Sequence, residues 1–304
     1  MAESNIVIYA ALAANVAIAV TKGIAAAMTG ASSMFSEAIH SLVDCTNQVL
    51  LLFGQKRAKR PPDDMHPLGY GQELYFWSFV VAILVFSLGA GISFYEGYLG
   101  IADPERVSRP MINYIVLGIA FLFEGTSWTL ALREFSHSVG EGGWWQAFKD
   151  SKDPAVFIPL FEDTAALTGI LIAATALFLA HWLDMPAIDG VGSILIGLVL
   201  AIVAFLLARE SKHLLIGEQA HPELNRKMRA WLERQEGVSK VVEVISLQLA
   251  PHEIAAILTV DIDDGMSGGD AEQLAMRLER KATEEFDDLS RVFVRPRDAP
   301  DHAG

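Results

Sequence analysis

Residues 188–208 read IDGVGSILIGLVLAIVAFLLA and carry no charged side chain apart from Asp189. A helix needs roughly 20 mostly apolar residues to cross the hydrocarbon core of a bilayer, so this stretch predicts a membrane-spanning helix. Similar stretches precede it at about 5–28, 33–55, 74–99, 110–135 and 156–181. The sequence therefore predicts an α-helical membrane protein with a bundle of six transmembrane helices.

The composition of the chain changes after residue 208. Hydrophobic residues make up 52% of the 304 residues, yet only 10 of the 23 Lys and Arg residues precede position 209. This distribution excludes a disordered chain and a single soluble domain. It predicts a transmembrane domain at 1–208 and a polar domain at 209–304.

Charge and cysteine content exclude two further classes. The formal net charge is −14, which argues against a nucleic-acid partner because phosphates need a basic surface. The chain has one cysteine, Cys45, and this excludes a disulfide framework or a zinc site built from cysteines.

The basic residues between the predicted spans indicate the orientation, because loops rich in Lys and Arg stay in the cytoplasm. Most of them lie after the second, fourth and sixth spans or, for Arg133, at the edge of the fourth: Lys56, Arg57, Lys59, Arg60, Arg133, Lys149, Lys152, Arg209 and Lys212. The other side has only Arg106 and Arg109. We expect both termini in the cytoplasm and a multi-pass protein of the bacterial inner membrane. The first span has no basic residue before it and is expected to be a retained anchor.

The polar domain has the pattern of a small α/β unit. The run PELNRKMRAWLERQEG is predicted to be helical, and the β-rich runs VVEVISLQLA and EIAAILTVDI follow it. Only Pro251 and His252 separate the two runs, which predicts a hairpin. A second helix is expected from Asp270 to about Phe286, and RVFVRP is expected to form a last strand. The predicted order is α-β-β-α-β, which suits regulation or dimerisation.

The second predicted span carries an unusual set of polar residues. It reads SSMFSEAIHSLVDCTNQVLLLFG, in which Glu37, His40, Asp44 and Asn47 recur at helical spacing and share one face. A charged group at this depth is costly and marks a functional site by default. The sequence predicts an ion site that His40 and Asp44 hold together. The alternative is a stripe of hydrogen bonds between helices.

The fifth predicted span has two adjacent acidic residues, Glu162 and Asp163. Neighbours on a helix point about 100° apart, and the small residues after Asp163 favour it as the one that faces Asp44. Glu162 either contributes to the site or reaches the membrane interface. Pro159, one turn earlier, loosens the backbone.

Two other charged residues fall within predicted spans. Glu124 lies midway along the fourth span, where it is either an ion or proton relay or a partner for another helix. Lys22 lies near the end of the first span, where extension of the side chain to the membrane interface explains it most simply.

Two acidic residues and one histidine suit a divalent cation. Zinc takes four tetrahedral ligands, of which His40, Asp44 and Asp163 would supply three. Glu162, Glu37 or water would supply the fourth. Oxygen ligands also accept manganese, so the ligand set does not select zinc alone.

Two segments resemble a known family. SEAIHSLVD at 36–44 and DDMHPLGYGQE at 63–73 are similar to segments of the cation diffusion facilitator family of zinc and manganese transporters. The number of spans, their orientation and the order of elements in the tail are similar as well. The resemblance implies proton-coupled efflux of a divalent metal, a homodimer through the cytosolic domain and membrane helices, and a ferredoxin-like, metallochaperone-like cytosolic domain.

The sequence departs from the family pattern at two positions. Family members selective for zinc often have a second histidine on the fifth span, where this chain has Pro159. The loop motif usually has a second histidine where this chain has Tyr70, while Asp63 and His66 remain. A metal site at Asp63 and His66 in that loop is therefore a weaker prediction. Glu37 is likewise a weaker candidate for a metal ligand. FEDTAALTG at 161–169 resembles the branch with mitochondrial zinc transporters.

The predicted function is efflux of zinc from the cytoplasm in exchange for protons, with manganese, iron, cobalt and cadmium as alternative cargoes. A membrane-embedded metalloenzyme is the rival interpretation, but the sequence has no HExxH motif for a metal-bound water and its base. A third interpretation is a scaffold with a structural metal site, whose tail recruits partners. The scaffold role by itself leaves Asp44 and Asp163 unexplained.

Overall fold

The computed structural model describes residues 2–136 and 143–298, which fall into two compact units. One unit comprises the chain up to Lys56 together with Phe76–Lys212, and the other comprises Arg57–Tyr75 together with the chain from His213. The predicted boundary at 208/209 falls inside a helix, because the last membrane helix continues beyond its apolar part to Leu215.

The first unit is helical. The helices that lie in it wholly or for most of their length are α1 Ala2–Thr29, α2 Ser32–Ala58, α3 Glu73–Leu84, α4 Gly91–Ala102, α5 Pro110–Ser136, α6 Gly143–Asp150, α7 Pro154–Trp182 and α8 Ala187–Leu215. A π-helical segment at Val85–Ala90 joins α3 to α4, so that 73–102 is one continuous helical stretch.

Five of the helical stretches in the described ranges are long and apolar enough to cross a membrane. They are Leu12–Thr29, Glu73–Ala102, Pro110–Ser136, Pro154–Trp182 and Ala187–Leu215. The structure confirms these five predicted helices. The sixth, α2, has 27 residues but does not meet this criterion, because its polar side chains lower its mean hydropathy.

Asp189 fixes the start of α2. The carboxylate of Asp189 lies at the beginning of α8 and accepts hydrogen bonds from the backbone N–H groups of Ser32 at 2.6 Å and Ser33 at 3.4 Å. The hydroxyl of Ser33 donates to the same carboxylate. The first N–H groups of a helix have no partner within the helix, so Asp189 caps α2 from a distant part of the chain.

Small residues bring α4 and α8 into backbone contact. A Cβ atom on Gly97 would lie 2.7 Å from the carbonyl oxygen of Gly190, and one on Gly190 would lie 2.8 Å from the carbonyl oxygen of Gly97. Neither position tolerates a side chain without a shift of the helices. The close crossing holds α8, and with it Asp189, against the rest of the unit.

The short helix α6 is absent from the sequence prediction. It is only eight residues long and has no long apolar run, which was the signal used to predict the other helices of this unit. Its Phe148 is buried and its ring lies 4.5 Å from that of Phe161 and 5.5 Å from that of Phe157, between centroids. These aromatic contacts dock α6 on α7.

The second unit has the predicted order α-β-β-α-β. Its elements are α9 Pro222–Leu232, β1 Val238–Ala250, β2 Glu253–Ile262, α10 Gly268–Glu285 and β3 Leu289–Pro296. The strands β1 and β2 pair antiparallel across Pro251 and His252, which confirms the hairpin, and β3 pairs parallel to β2. Met228, Leu258 and Leu274 belong to the buried core that both helices share with the sheet.

The segment Arg57–Tyr75, which contains the loop between α2 and α3, belongs to this second unit. A Cβ atom on Gly71 would lie 2.6 Å from the carbonyl oxygen of Leu249 at the end of β1, so the loop backbone rests directly on the strand. At the other side of the loop, Arg57 donates two hydrogen bonds to Glu73, at 2.8 and 3.1 Å. The sequence did not predict that this loop packs with the polar domain.

Candidate metal site

The polar face of α2 is buried in the first unit. His40 is 1% exposed, and Glu37 and Asn47 are fully buried. The Nδ1 atom of His40 lies 3.6 Å from Oδ1 of Asp44, one turn further along α2. The i, i+4 spacing predicted from the sequence therefore brings these two side chains together.

Several buried polar atoms on this face lack a hydrogen-bond partner among the described residues. They include both ring nitrogens of His40 and Oδ1 of Asp44. Buried polar atoms in native proteins are nearly always hydrogen-bonded, so a group of unbonded ones requires an explanation. An imidazole and a carboxylate with free lone pairs are the donors that a divalent cation takes up.

Neighbouring side chains hold the acidic pair of α7. Glu162 is buried and its Oε1 accepts a hydrogen bond of 2.7 Å from the side-chain amide of Asn47 on α2. The Oδ2 atom of Asp163 accepts one of 2.7 Å from the hydroxyl of Ser127 on α5. Asn47 on α2 and Ser127 on α5 thus orient one carboxylate each.

These groups surround a cavity of about 100 Å³. Its lining comprises Asn15, Ser41, Asp44, Gln48, Leu51, Glu124, Ser127, Pro159, Glu162 and Asp163. The lining contains four carboxylic acids and no basic side chain among the residues described. Such a cavity attracts cations.

The cavity brings together acidic residues from three helices, including two that the sequence did not favour as ligands. The sequence favoured Asp163 over Glu162, yet both carboxylates line the same cavity as Asp44. Glu124 on α5 lines it too, so this residue belongs with the acidic cluster. His40 is not part of the described lining and reaches the cluster through its approach to Asp44.

The predicted ligands do not converge on one point. Within 2–136 and 143–298, no three His, Cys, Asp or Glu side chains lie close enough together to hold one metal ion. The structure therefore shows an acidic cavity with an adjacent His40–Asp44 pair rather than an assembled tetrahedral site.

Lys22 has a different environment from the one predicted. Instead of extending to a membrane interface, it is fully buried. Its Nζ atom donates to Oε2 of Glu37 at 3.0 Å and to the hydroxyl of Ser41 at 2.8 Å. The opposite charges compensate each other, which allows both groups to remain inside the helical unit. Glu37 is thus engaged with a cation of the protein itself.

Asp63 and His66 lie in the loop of the second unit, where the carboxylate of Asp63 has several partners. Oδ2 of Asp63 accepts a 2.6 Å hydrogen bond from the hydroxyl of Tyr70, and Oδ1 accepts from the backbone N–H groups of Met65 and His66. The hydrogen bond from Tyr70 is the main reason that the pKa of Asp63 lies below its ordinary value. The ring of His66 lies 4.2 Å from that of Tyr70.

The sequence prediction did not identify Ser127, Gln48 or Asn15 as part of the site. Asn15 and Ser127 lie on other helices, far in sequence from Asp44 and Asp163, so the sequence hides their contact with the site. Gln48 lies one turn after Asp44 on α2, and this i, i+4 spacing was an available signal. The one available signal for the other two was their polarity within apolar spans.

Comparison with known proteins gives one family. Residues 8–216 match the cation efflux transmembrane domain. The mitochondrial proton-coupled zinc antiporter of Mus musculus is 32% identical over 237 residues, which are 77% of this chain and 42% of that protein. Metal tolerance protein C4 of Arabidopsis thaliana is 28% identical over 237 residues, 77% of this chain and 51% of that protein.

A more distant relative is the magnetosome protein MamM of Paramagnetospirillum magneticum. It is 25% identical over 178 residues, which are 59% of this chain and 52% of that protein. The chain thus spans about half the length, or less, of the relatives named here.

Proposed function

Because this chain belongs to the cation efflux family, also called the cation diffusion facilitators, we propose that it moves a divalent metal cation across a membrane. Zinc is the first candidate, since several relatives carry the name of a proton-coupled zinc antiporter. The observation that carries the proposal is the cavity lined by Asp44, Glu124, Glu162 and Asp163.

The proposed ligands are His40, Asp44 and Asp163, with Glu162 as the fourth. His40 and Asp44 have unbonded atoms 3.6 Å apart, and the two acidic residues of α7 line the same cavity as Asp44. One nitrogen and three oxygen donors complete a tetrahedral zinc site once they converge. Because oxygen predominates, the same set also accepts manganese. Iron, cobalt and cadmium are further proposed cargoes.

Protons are the proposed counter-ion. A carboxylate or imidazole must be deprotonated to bind a metal, so metal and protons compete for the same groups. Zinc arriving from the cytoplasm displaces protons from His40 and its acidic neighbours. Acid on the far side then returns protons to these groups and releases the metal.

The proposed arrangement in the membrane has six spans. The five apolar helices supply five, and α2, whose polar face is buried within the unit, supplies the sixth. Both termini then lie in the cytoplasm, most simply at a bacterial inner membrane, and export proceeds from the cytoplasm to the far side. We further propose that this second unit is a ferredoxin-like, metallochaperone-like domain that supports a homodimer.

The test is zinc uptake into sealed proteoliposomes that contain a pH dye. With the lumen more acidic than the outside, wild-type protein should accumulate zinc, and the lumen should become less acidic as protons leave. Protein-free vesicles with the same gradient provide the control for leakage. Zinc uptake without a change of internal pH would contradict antiport, and absence of uptake would contradict transport itself.

A further inference from the structure

Lys22 and Glu37 form an ion pair that the proposed transport site does not use. Both side chains are completely buried, and the ammonium lies 3.0 Å from Oε2 of Glu37. Buried lysines and glutamates within membrane-spanning segments are rare and have a function by default. The pair joins α1 to α2 directly beside the residues proposed to bind metal.

Glu37 would otherwise be available to a metal ion. It precedes His40 by three residues on α2, which places both on one face of the helix. Its Oε1 atom and both ring nitrogens of His40 have no hydrogen-bond partner among the residues described. A carboxylate and an imidazole so placed are ordinary zinc ligands.

Helix α7 approaches Glu37 closely enough to enclose it. A Cβ atom on Gly169 would collide with Oε1 of Glu37, so the absence of a side chain at position 169 makes room for the carboxylate. Glu37 therefore lies between the ammonium of Lys22 on α1 and the backbone of α7 at Gly169. The same ammonium also donates to Ser41.

We propose that Lys22 is a tethered cation that withholds Glu37 from the transported metal. By neutralising this carboxylate, Lys22 limits the ligands to those at the cavity and keeps the site weak enough to release its ion. The ammonium also donates to Ser41, which lines the cavity with Asp44 and Glu124, so its charge acts against a metal cation bound there. The inference deepens the proposed function and rests on it for its meaning in transport.

Three variants separate this role from a structural one. Lys22→Met removes the positive charge and frees Glu37, so the affinity for the metal should rise at least about tenfold. Glu37→Gln leaves Lys22 uncompensated, so the affinity should fall by a similar factor. Lys22→Met/Glu37→Gln removes both charges and should bind metal with nearly the wild-type affinity.

The measurement is a titration of purified full-length protein in detergent with Co²⁺, whose visible absorption reports its ligands. Recruitment of Glu37 in Lys22→Met should change the absorption spectrum, and the double variant should restore the wild-type spectrum. Lys22→Arg is the matched control, since it keeps the charge and should keep the affinity. Size-exclusion chromatography identifies any variant that has not folded.

Each outcome decides the proposal. A merely structural ion pair would lower the affinity in all three variants, and this result would overturn it. Equal affinity in wild type, Lys22→Met and Glu37→Gln would overturn it as well. If Lys22→Met does not fold, the fall in Glu37→Gln and its recovery in the double variant still provide the test.

The experiment also separates this proposal from the proposed function. Cobalt binding requires no transport, so wild-type protein that binds cobalt but moves no zinc would contradict transport alone. Suppose that wild-type protein binds no cobalt, whereas Lys22→Met binds a cobalt ion that the double variant does not bind. This result would support the role of Lys22 and contradict the proposed metal site at Asp44. If no variant binds cobalt, the tethered cation is refuted.

Discussion

Two regions of the molecule each contain a neighbouring histidine and aspartate, one pair largely buried and the other half exposed. His40 and Asp44 lie on α2 with side chains 2% and 17% exposed, and their nearest polar atoms are 3.6 Å apart. Asp63 and His66 lie in the loop of the second unit, 3.4 Å apart and both 51% exposed. By residue type and spacing alone, either pair suits a metal.

The two pairs differ in the hydrogen bonds that their polar atoms make. In the loop, the carboxylate of Asp63 is saturated by Tyr70 and by two backbone N–H groups. On α2, Oδ1 of Asp44 and both nitrogens of His40 have no such bonds among the described residues. A buried donor set that the protein leaves unsatisfied is a stronger indication of a ligand site than residue type.

The largest expected effect separates the two aspartates. Asp44→Asn should reduce zinc flux into proteoliposomes at least about 100-fold, because loss of a ligand costs more than the 10- to 100-fold typical of outer partners. The matched variant Asp63→Asn should transport zinc at nearly the wild-type rate. Comparable losses in both variants would show that the loop contributes to transport. A wild-type rate of zinc flux in Asp44→Asn would show that the transport site is not in this cavity.

The second comparison exchanges the two histidines. His40→Asp replaces the single nitrogen ligand with oxygen, so competition assays should show a shift of preference from zinc towards manganese. His66→Asp should leave the order of metals unchanged, since the loop is not expected to bind the transported ion. An unaltered order in His40→Asp would place His40 outside the metal site.

A smaller effect is expected from a residue that orients a ligand. Ser127 donates a 2.7 Å hydrogen bond to Asp163, and Ser127→Ala should weaken zinc uptake about 10-fold, mainly through a higher KM. Thr126→Ala removes a hydroxyl that bonds only to the backbone carbonyl of Leu122 among the contacts described. This neighbouring variant should keep the wild-type KM. A higher KM in both variants would indicate general damage to α5.

The smallest effect on transport is expected in the loop. Tyr70→Phe removes the hydrogen bond that lowers the pKa of Asp63, so this pKa should return towards its ordinary value near 3.9. A depressed pKa stabilises the folded state above the unfolded pKa, and this contribution disappears as the pH falls through the folded pKa.

Thermal unfolding of the full-length protein measures this effect. The Tm of Tyr70→Phe should lie below that of wild type at pH 7, and the difference should narrow below about pH 4. Zinc flux at pH 7 should be unchanged. A Tm difference that grows on acidification would contradict the assigned role of Tyr70.

Local sequence determined much of this protein. Runs of about 20 apolar residues specify the membrane helices, and the hairpin follows from two β-rich runs that meet at Pro251 and His252. The segment SEAIHSLVD indicated the cation efflux family, which the comparison confirms. These features depend on the hydrophobic pattern and on turn residues, both of which can be read from residues close together in the sequence.

Only the tertiary structure decided which partners the polar groups have. Lys22 meets Glu37, Ser127 meets Asp163, and Asn47 meets Glu162, in each case from another helix. The sequence predicted an exposed role for Lys22 because burial of a charge is costly, and only the packing of α1 against α2 shows that the charge is compensated. Which helices are neighbours depends on close contacts such as that of Gly97 with Gly190, and helical periodicity carries no information about them.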